Sequence, residues 1–118
     1  MKSYLLPVLV LTSLLYFSSC HKLDIASGTP SCIRNEIKDH KNDPQWMIGS
    51  VDEYLFQDKT VYAFSPDNNI IADGSTEVKD VSCNTLCHVG GFGGPSINIC
   101  NGENFFQNAQ LVRNIWKK

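Results

Sequence analysis

The sequence contains no apolar run long enough to cross a bilayer as a helix. Its longest, from Tyr4 to Phe17, is about 14 residues against the roughly 20 that spanning requires, and Pro7 interrupts it. Neither sign of charge accumulates: 10 Lys and Arg stand against 12 Asp and Glu, with no long block of either. That excludes the broad electrostatic attraction on which nucleic-acid binding depends, and leaves Lys117-Lys118 as a solvated tail. Catalytic signatures are missing as well. There is no Gly-x-Ser-x-Gly elbow, the three histidines (His21, His40, His88) are scattered, and no carboxylate pair is set off by spacing, so no enzyme activity is expected. No internal repeat appears, and the one biased stretch is the glycine cluster at 90–94.

What is present first concerns location. Lys2 is the only charge ahead of the apolar run and the small pair Ser18-Ser19 follows it, the layout of a secretory signal over residues 1–19. Phe17-Ser18-Ser19-Cys20 resembles a bacterial lipobox, with Phe17 in place of the usual Leu, Val or Ile; the resemblance implies that Cys20 is acylated and becomes the new N-terminus. Cleavage without acylation is the alternative. Parity favours acylation, because five cysteines less Cys20 leave Cys32, Cys83, Cys87 and Cys100, an even set able to pair. The expected location is the bacterial cell envelope, anchored by lipid to the outer membrane and facing the periplasm or the outside. Residues 20–30, "CHKLDIASGTP", read as a tether and residues 31–118 as one small domain. At that size a lone apolar core is marginal, and disulfides commonly supply the difference.

Within the domain, Pro30, Ser31 as a possible cap, and Ile33 and Ile37 one turn apart predict a short amphipathic helix that Asn42-Asp43-Pro44 ends. "VDEYLFQDKTVYAF", residues 51–64, reads as a β-hairpin with Tyr54 and Phe56 sharing one face of the first strand and Tyr62 and Phe64 one face of the second; the register between them stays open. "IIA" at 70–72 is expected as a third strand and residues 76–82 as another short one. The tail from Asn101 predicts a helical turn near residues 105–109, with the remainder open between helix and edge strand. The expected fold class is α+β: an N-terminal helix packed on an antiparallel β-meander, stapled by disulfides.

Chemistry concentrates at "CNTLCH", Cys83 to His88, one residue longer than the Cys-x2-Cys-His that attaches c-type haem. A redox or haem-carrying protein using Cys83, Cys87 and His88, with Met47 or His40 as a second axial ligand, is the alternative function. Structural zinc on the cysteines and His88 is disfavoured in an oxidising compartment. Asp67-Asn68-Asn69 and Asp73-Gly74 carry oxygen ligands for calcium but not the EF-hand spacing, so they read as turns. "GGFGG" lacks the order of a phosphate loop and reads as conformational freedom inside a covalent ring, with His88 and Phe92 as loop residues. No cofactor is expected. Tyr54, Phe56, Tyr62, Phe64, His88 and Phe92 form a possible binding surface for another envelope protein or a small ligand, although aromatic pairs on a hairpin more often pack the sheet.

Cys32-Ile33, Glu53-Tyr54, Lys59, Val61-Tyr62, Phe64, Cys83, Leu86-Cys87, Gly90-Gly91, Cys100, Phe105-Phe106 and Ile115-Trp116 together resemble a family of small Bacteroidota lipoproteins. In these a Cys-Ile helix precedes a Tyr-rich hairpin, a Cys-rich Gly-Gly segment and a Phe…Ile-Trp tail. The resemblance implies fold and location and brings no established activity or ligand. Asp58, where the family's hairpin turn has glycine, and the short segment from Cys83 to Cys87 depart from it. Of the three connectivities open to the four cysteines, the preferred one joins Cys87 to Cys100 and Cys32 to Cys83. The overall expectation is a lipid-anchored, non-catalytic interaction module.

Overall fold

The computed structural model of the chain describes residues 24–93 and 95–118; the apolar leader and Cys20 lie outside the described residues. Helix α1 (Ser31–His40) is followed by strands β1 (Ile48–Phe56), β2 (Lys59–Pro66), β3 (Thr76–Lys79) and β4 (Thr85–Val89). A 3-10 turn (Pro95–Asn98), the short strands β5 (Ile99–Cys100) and β6 (Glu103–Asn104), one helical turn α2 (Phe105–Asn108) and β7 (Gln110–Lys117) complete the chain. Five strands make one antiparallel sheet in the order β4-β3-β2-β1-β7, and β5 pairs with β6 separately. The class is α+β, with a single longer helix among the described residues set against an antiparallel sheet.

The β1–β2 hairpin sets the frame. Its loop is two residues, Gln57 and Asp58, with φ of 52° and 60°, the paired left-handed conformation whose twist matches the flanking strands. Asp58 serves where glycine is common because a short polar side chain enters this region at modest cost. The loop places Phe56 opposite Lys59, Tyr54 opposite Val61 and Val51 opposite Phe64. Side chains alternate along a strand, so Tyr54 and Phe56 point with Val61 and Ala63 to one face, and Tyr62 and Phe64 with Val51 to the other. β2 is the central strand and is covered on both sides, which is why Val61, Tyr62, Ala63 and Phe64 are all buried.

Each face has its own cover. Ile33 and Ile37 of α1 pack with Ile25 onto Val51, Tyr62, Phe64, Ile115 and Trp116. On the opposite face Cys100 and Phe105 lie over Phe56, Val61, Ala63, Val78 and Val89, and the Phe105 ring meets both Tyr54 and Phe56 edge-on at 5.2 Å. Each cover is pinned by one disulfide. Cys32–Cys83 ties the first turn of α1 to the turn between β3 and β4, and Cys87–Cys100 ties β4 to β5. Gly90 and Gly91, with φ of 82° and 89°, turn the chain inside that second ring.

Several expectations need correction. The domain begins before residue 31: Ile25 is 5% exposed, Ala26 N donates to Ile115 O (2.9 Å) and Arg113 Nη1 donates to Ser27 O (2.6 Å). Residues 25–29 are small enough beyond Ile25 to run as a strap along the edge of β7, where the sequence suggested a tether. Ser31 does not cap α1; Pro30 occupies the cap position, and Thr29 Oγ1 donates to Ala26 O instead. Residues 70–72 are not a strand, because Asp67 O accepts from both Ile70 N and Ile71 N in a turn; the third strand is Thr76–Lys79. His88 sits on β4 and not in a loop. The tail resolves into a helical turn and a true edge strand, and β7 skips one residue of register at Val112 and one at Ile115, two bulges against β1.

Candidate functional site

Between α1 and the approach to β1 lies an open cleft of about 370 Å³ lined by Glu36, Gln45, Trp46, Met47, Ile48, Phe64 and Glu77. Local chemistry builds it. After α1 ends, Asp43 Oδ1 accepts from Gln45 N (2.9 Å) and Asp43 O from Trp46 N (3.1 Å), a turn that folds Trp46 back over the domain. The Trp46 ring lies between His40 (5.6 Å) and Trp116 (5.3 Å), and Met47 is left 51% exposed. Phe64 from the central strand supplies the floor.

The rim is charged. Glu77 and Lys79 alternate with Val78 along β3, so both acidic and basic groups turn to the α1 face while Val78 enters the opposite core. Lys79 Nζ is held by Glu36 from α1 and by Glu77 Oε1 (2.9 Å), and it lies 4.9 Å above the Phe64 ring. Glu77 Oε2 meets His88 Nε2 at 3.0 Å. Burial of Lys79 favours its neutral form, yet the hydrogen bonds and charges of Glu36 and Glu77 outweigh this and raise its pKa. Burial pushes Glu77 up, while Lys79 and His88 together pull it further down, below the ordinary carboxylate value. The result is a fixed, internally compensated row of charge beside an apolar floor. Such a site can seat an amphipathic group; its charges are already engaged in holding α1 to β3.

A second groove lies at the hairpin end, about 440 Å³ between Lys59, Thr60, Val61, Asp80, Val81 and Leu86. It is more uniformly apolar and lacks the convergent polar groups of the α1 cleft.

The hairpin aromatics do not form a common binding surface, because alternation divides them between two cores. Phe56, Tyr62 and Phe64 are buried and Tyr54 is half-buried; of the four, Phe64 alone borders the α1 cleft. Tyr62 OH donates to Glu53 Oε1 (3.1 Å), and burial followed by that carboxylate pushes its pKa up to about 12. His88 reaches the cleft only through Glu77. Phe92, 85% exposed, belongs to the glycine segment after β4, away from α1. Glu36, Trp46, Glu77 and Lys79 went unmarked in the sequence, and Met47 was singled out only as an axial ligand for haem. The alternation Glu77-Val78-Lys79 was a readable signal, but it required knowing that residues 76–79 form a strand.

The cysteines separate in the same way. Cys83 and Cys87 belong to different disulfides, and Cys87 and His88, adjacent on β4, point to opposite faces. A haem attached through both thiols with His88 beneath it would require both bridges to open and the strand to be unmade. This arrangement does not offer the paired thiols and imidazole that covalent haem attachment needs.

A disulfide-stapled α+β sheet domain with an amphipathic cleft is the class these features define. The family described as Domain of unknown function (DUF6970) matches residues 35–118, and the chain belongs to it. The match opens inside α1, so Ile25 and Ile33 of the core and the disulfide-bonded Cys32 lie ahead of it. No curated protein and no solved structure matches the chain.

Proposed function

We propose that the protein is a lipid-anchored, non-catalytic binding module of the bacterial cell envelope, acylated at Cys20 and using the α1 cleft to seat an amphipathic ligand or a segment of another envelope protein. The observation that carries the reading is the pairing of Cys32 with Cys83 and Cys87 with Cys100. It accounts for every cysteine of the chain except Cys20, which follows an apolar leader and two serines. Disulfides that fasten both covers of a sheet suit an oxidising compartment. Acyl chains contribute about 0.8 kcal/mol per buried methylene, so two or three of them hold such a domain at a membrane without help from its surface. The resemblance to small Bacteroidota lipoproteins points the same way.

Two measurements test it. Intact mass of the protein extracted from membranes is expected to show a chain beginning at Cys20 with acyl additions, and no added mass after iodoacetamide without reductant. An unmodified Cys20 thiol, or a chain that starts elsewhere, overturns the anchor. For the cleft, the neutral fluorophore Nile red is expected to brighten on the folded protein and to lose that gain in Met47→Asp, whose side chain is exposed and so leaves the core intact. Equal brightening in the variant overturns the cleft as the ligand seat.

A further inference from the structure

Arg34, Lys38 and Lys41 recur at spacings of four and three and therefore share one flank of α1. The opposite flank carries Cys32 and Glu36, which reach β3 and its turn through the disulfide and Lys79. The basic flank faces the other way, and at its end Lys41 Nζ holds Asp24 Oδ2, just ahead of the strap of residues 25–29, at 3.2 Å. Across the strap stands Arg113 of β7, bound to Ser27 O and, at 3.5 Å, to Glu53. Lys41 and Arg113 thus reach the strap and the residue before it, Arg34 and Lys38 continue the same flank along α1, and the two carboxylates that reach these cations, Asp24 and Glu53, are each taken by one of them. The chain as a whole carries a net charge of −2, so this flank runs against the prevailing sign.

The strap is also where the chain leaves the domain toward Cys20. Ile25 is fixed in the core, so only the residues from Cys20 to Asp24 separate it from the proposed acyl group. Fully extended, they span at most about 18 Å. The domain is consequently held with the strap and its bordering cations nearest the bilayer, within one to two Debye lengths of its surface.

Resting on the anchor reading above, we infer that the flank formed by Arg34, Lys38, Lys41 and Arg113 is a docking surface for anionic lipid headgroups, which lays the domain on the membrane with the α1 cleft and the β4 edge turned outward. The partner is the bilayer to which the acyl chains belong. Charge complementarity and the short reach from Cys20 select it over an acidic protein.

The test uses the natively acylated full protein on two vesicle types, phosphatidylcholine alone and phosphatidylcholine with phosphatidylglycerol, with acetylation of each lysine by an amine-reactive ester followed by mass spectrometry. On the anionic vesicles Lys38 and Lys41 are expected to react about fivefold more slowly than on neutral ones, with the difference abolished by high salt, while Lys59 at the hairpin end is unchanged. Equal reaction of Lys38 on both vesicle types, or equal slowing of Lys59, overturns the docking surface while leaving the anchor standing. Failure of the protein to sediment with neutral vesicles is the separate result that overturns the anchor and the inference with it.

Discussion

Cys87 and His88 are neighbours in the chain and partners of different layers: Cys87 is bonded to Cys100 over one face of the sheet, and His88 Nε2 stands 3.0 Å from Glu77 Oε2 on the other. The stretch that resembled a haem motif runs from a turn into a strand whose alternation sends the Cys87 thiol to a staple and the His88 imidazole to a surface contact with Glu77. Replacing Cys87 and Cys100 together by serine is expected to cost about 3 kcal/mol in the chain-entropy account, and replacing Cys32 and Cys83 together about 4, because the second closes a longer loop. A small domain has a net stability on the order of 5–15 kcal/mol, so either loss is large. His88→Ala, at an exposed pair, should stay within about 0.5 kcal/mol of the parent. Urea unfolding under non-reducing conditions compares them; a histidine variant as unstable as the disulfide variants would contradict the staple.

The described residues contain two tyrosines, Tyr54 and Tyr62, and both are harder to ionise than a free phenol. Burial raises Tyr54, with the charge of Asp52 adding to it. Burial and then the Glu53 hydrogen bond carry Tyr62 to about 12. Phenolate absorbance of the mature folded protein should therefore remain low at pH 10, where the unfolded chain in denaturant is half ionised, and Tyr62 should titrate last. Glu53→Gln should bring its midpoint down without abolishing the elevation that burial causes. A folded-state midpoint at pH 10 for both rings would remove the closed geometry around Tyr62.

Stability should form a plateau bounded by two groups of the cleft rim. Glu77 is depressed in the folded state, so its contribution is present above its unfolded value near 4.5 and disappears as pH falls through the lower folded one. Asp80, lowered chiefly by hydrogen bonds from Asn84 in the turn that carries Cys83, adds loss in the same direction below about 3.8. Lys79 is raised, so its contribution is present below its unfolded value near 10.5 and is lost as pH rises through the folded one; Tyr62 weakens the fold in the same alkaline range. Thermal midpoints are expected to be flat from about pH 5 to 10 and to fall on both sides. Glu77→Gln should flatten the acid limb while leaving the alkaline decline due to Tyr62. An acid limb identical in parent and variant would show that Glu77 is not coupled to folding.

Much of the architecture was legible because local chemistry and tertiary demand agreed. The spacing of Ile33 and Ile37 and the polar break after Phe56 each point to the element that forms, whereas residues 80–82, expected as strand, belong to the turn that carries Cys83. The pairing of cysteines was legible in the same sense, through the need to fasten a helix and a glycine loop. The tail was not, for a physical reason. β7 carries an extra residue at Val112 and another at Ile115, so its buried side chains do not alternate, and the surviving spacing of Phe105, Ala109, Val112 and Trp116 imitates a helix. The cleft was illegible for another reason: Trp46 precedes β1, Glu36 lies on α1 and Glu77 on β3, and their convergence depends on the order β3-β2-β1 beneath the helix. Alternation alone could not reveal that Tyr54 and Tyr62 face different cores, since this follows from the two-residue loop and not from either strand.

The strap offers the sharpest separation between what composition suggested and what packing requires. Residues 20–30 are short of large apolar groups and read as a tether, yet Ile25 is buried against α1 and β7 at 5% exposure, and Ala26 and Ser27 bond the edge strand behind it. If Ile25 is part of the core, Ile25→Ala should destabilise the domain by about 2–4 kcal/mol, as removal of a buried branched side chain does, and should expose Trp116 to acrylamide quenching. Ser27→Ala, which keeps the backbone carbonyl that Arg113 engages, should be nearly silent. Arg113→Ala should fall between them, because it releases both the strap and Glu53. The strap also closes the distal half of an edge strand that would otherwise present unpaired backbone, so hydrogen exchange at Ala26 should be slow in the parent and fast in Ile25→Ala. An Ile25→Ala protein with parental urea midpoint and a rapidly exchanging Ala26 in both forms would return residues 25–29 to the tether and move the start of the domain to α1.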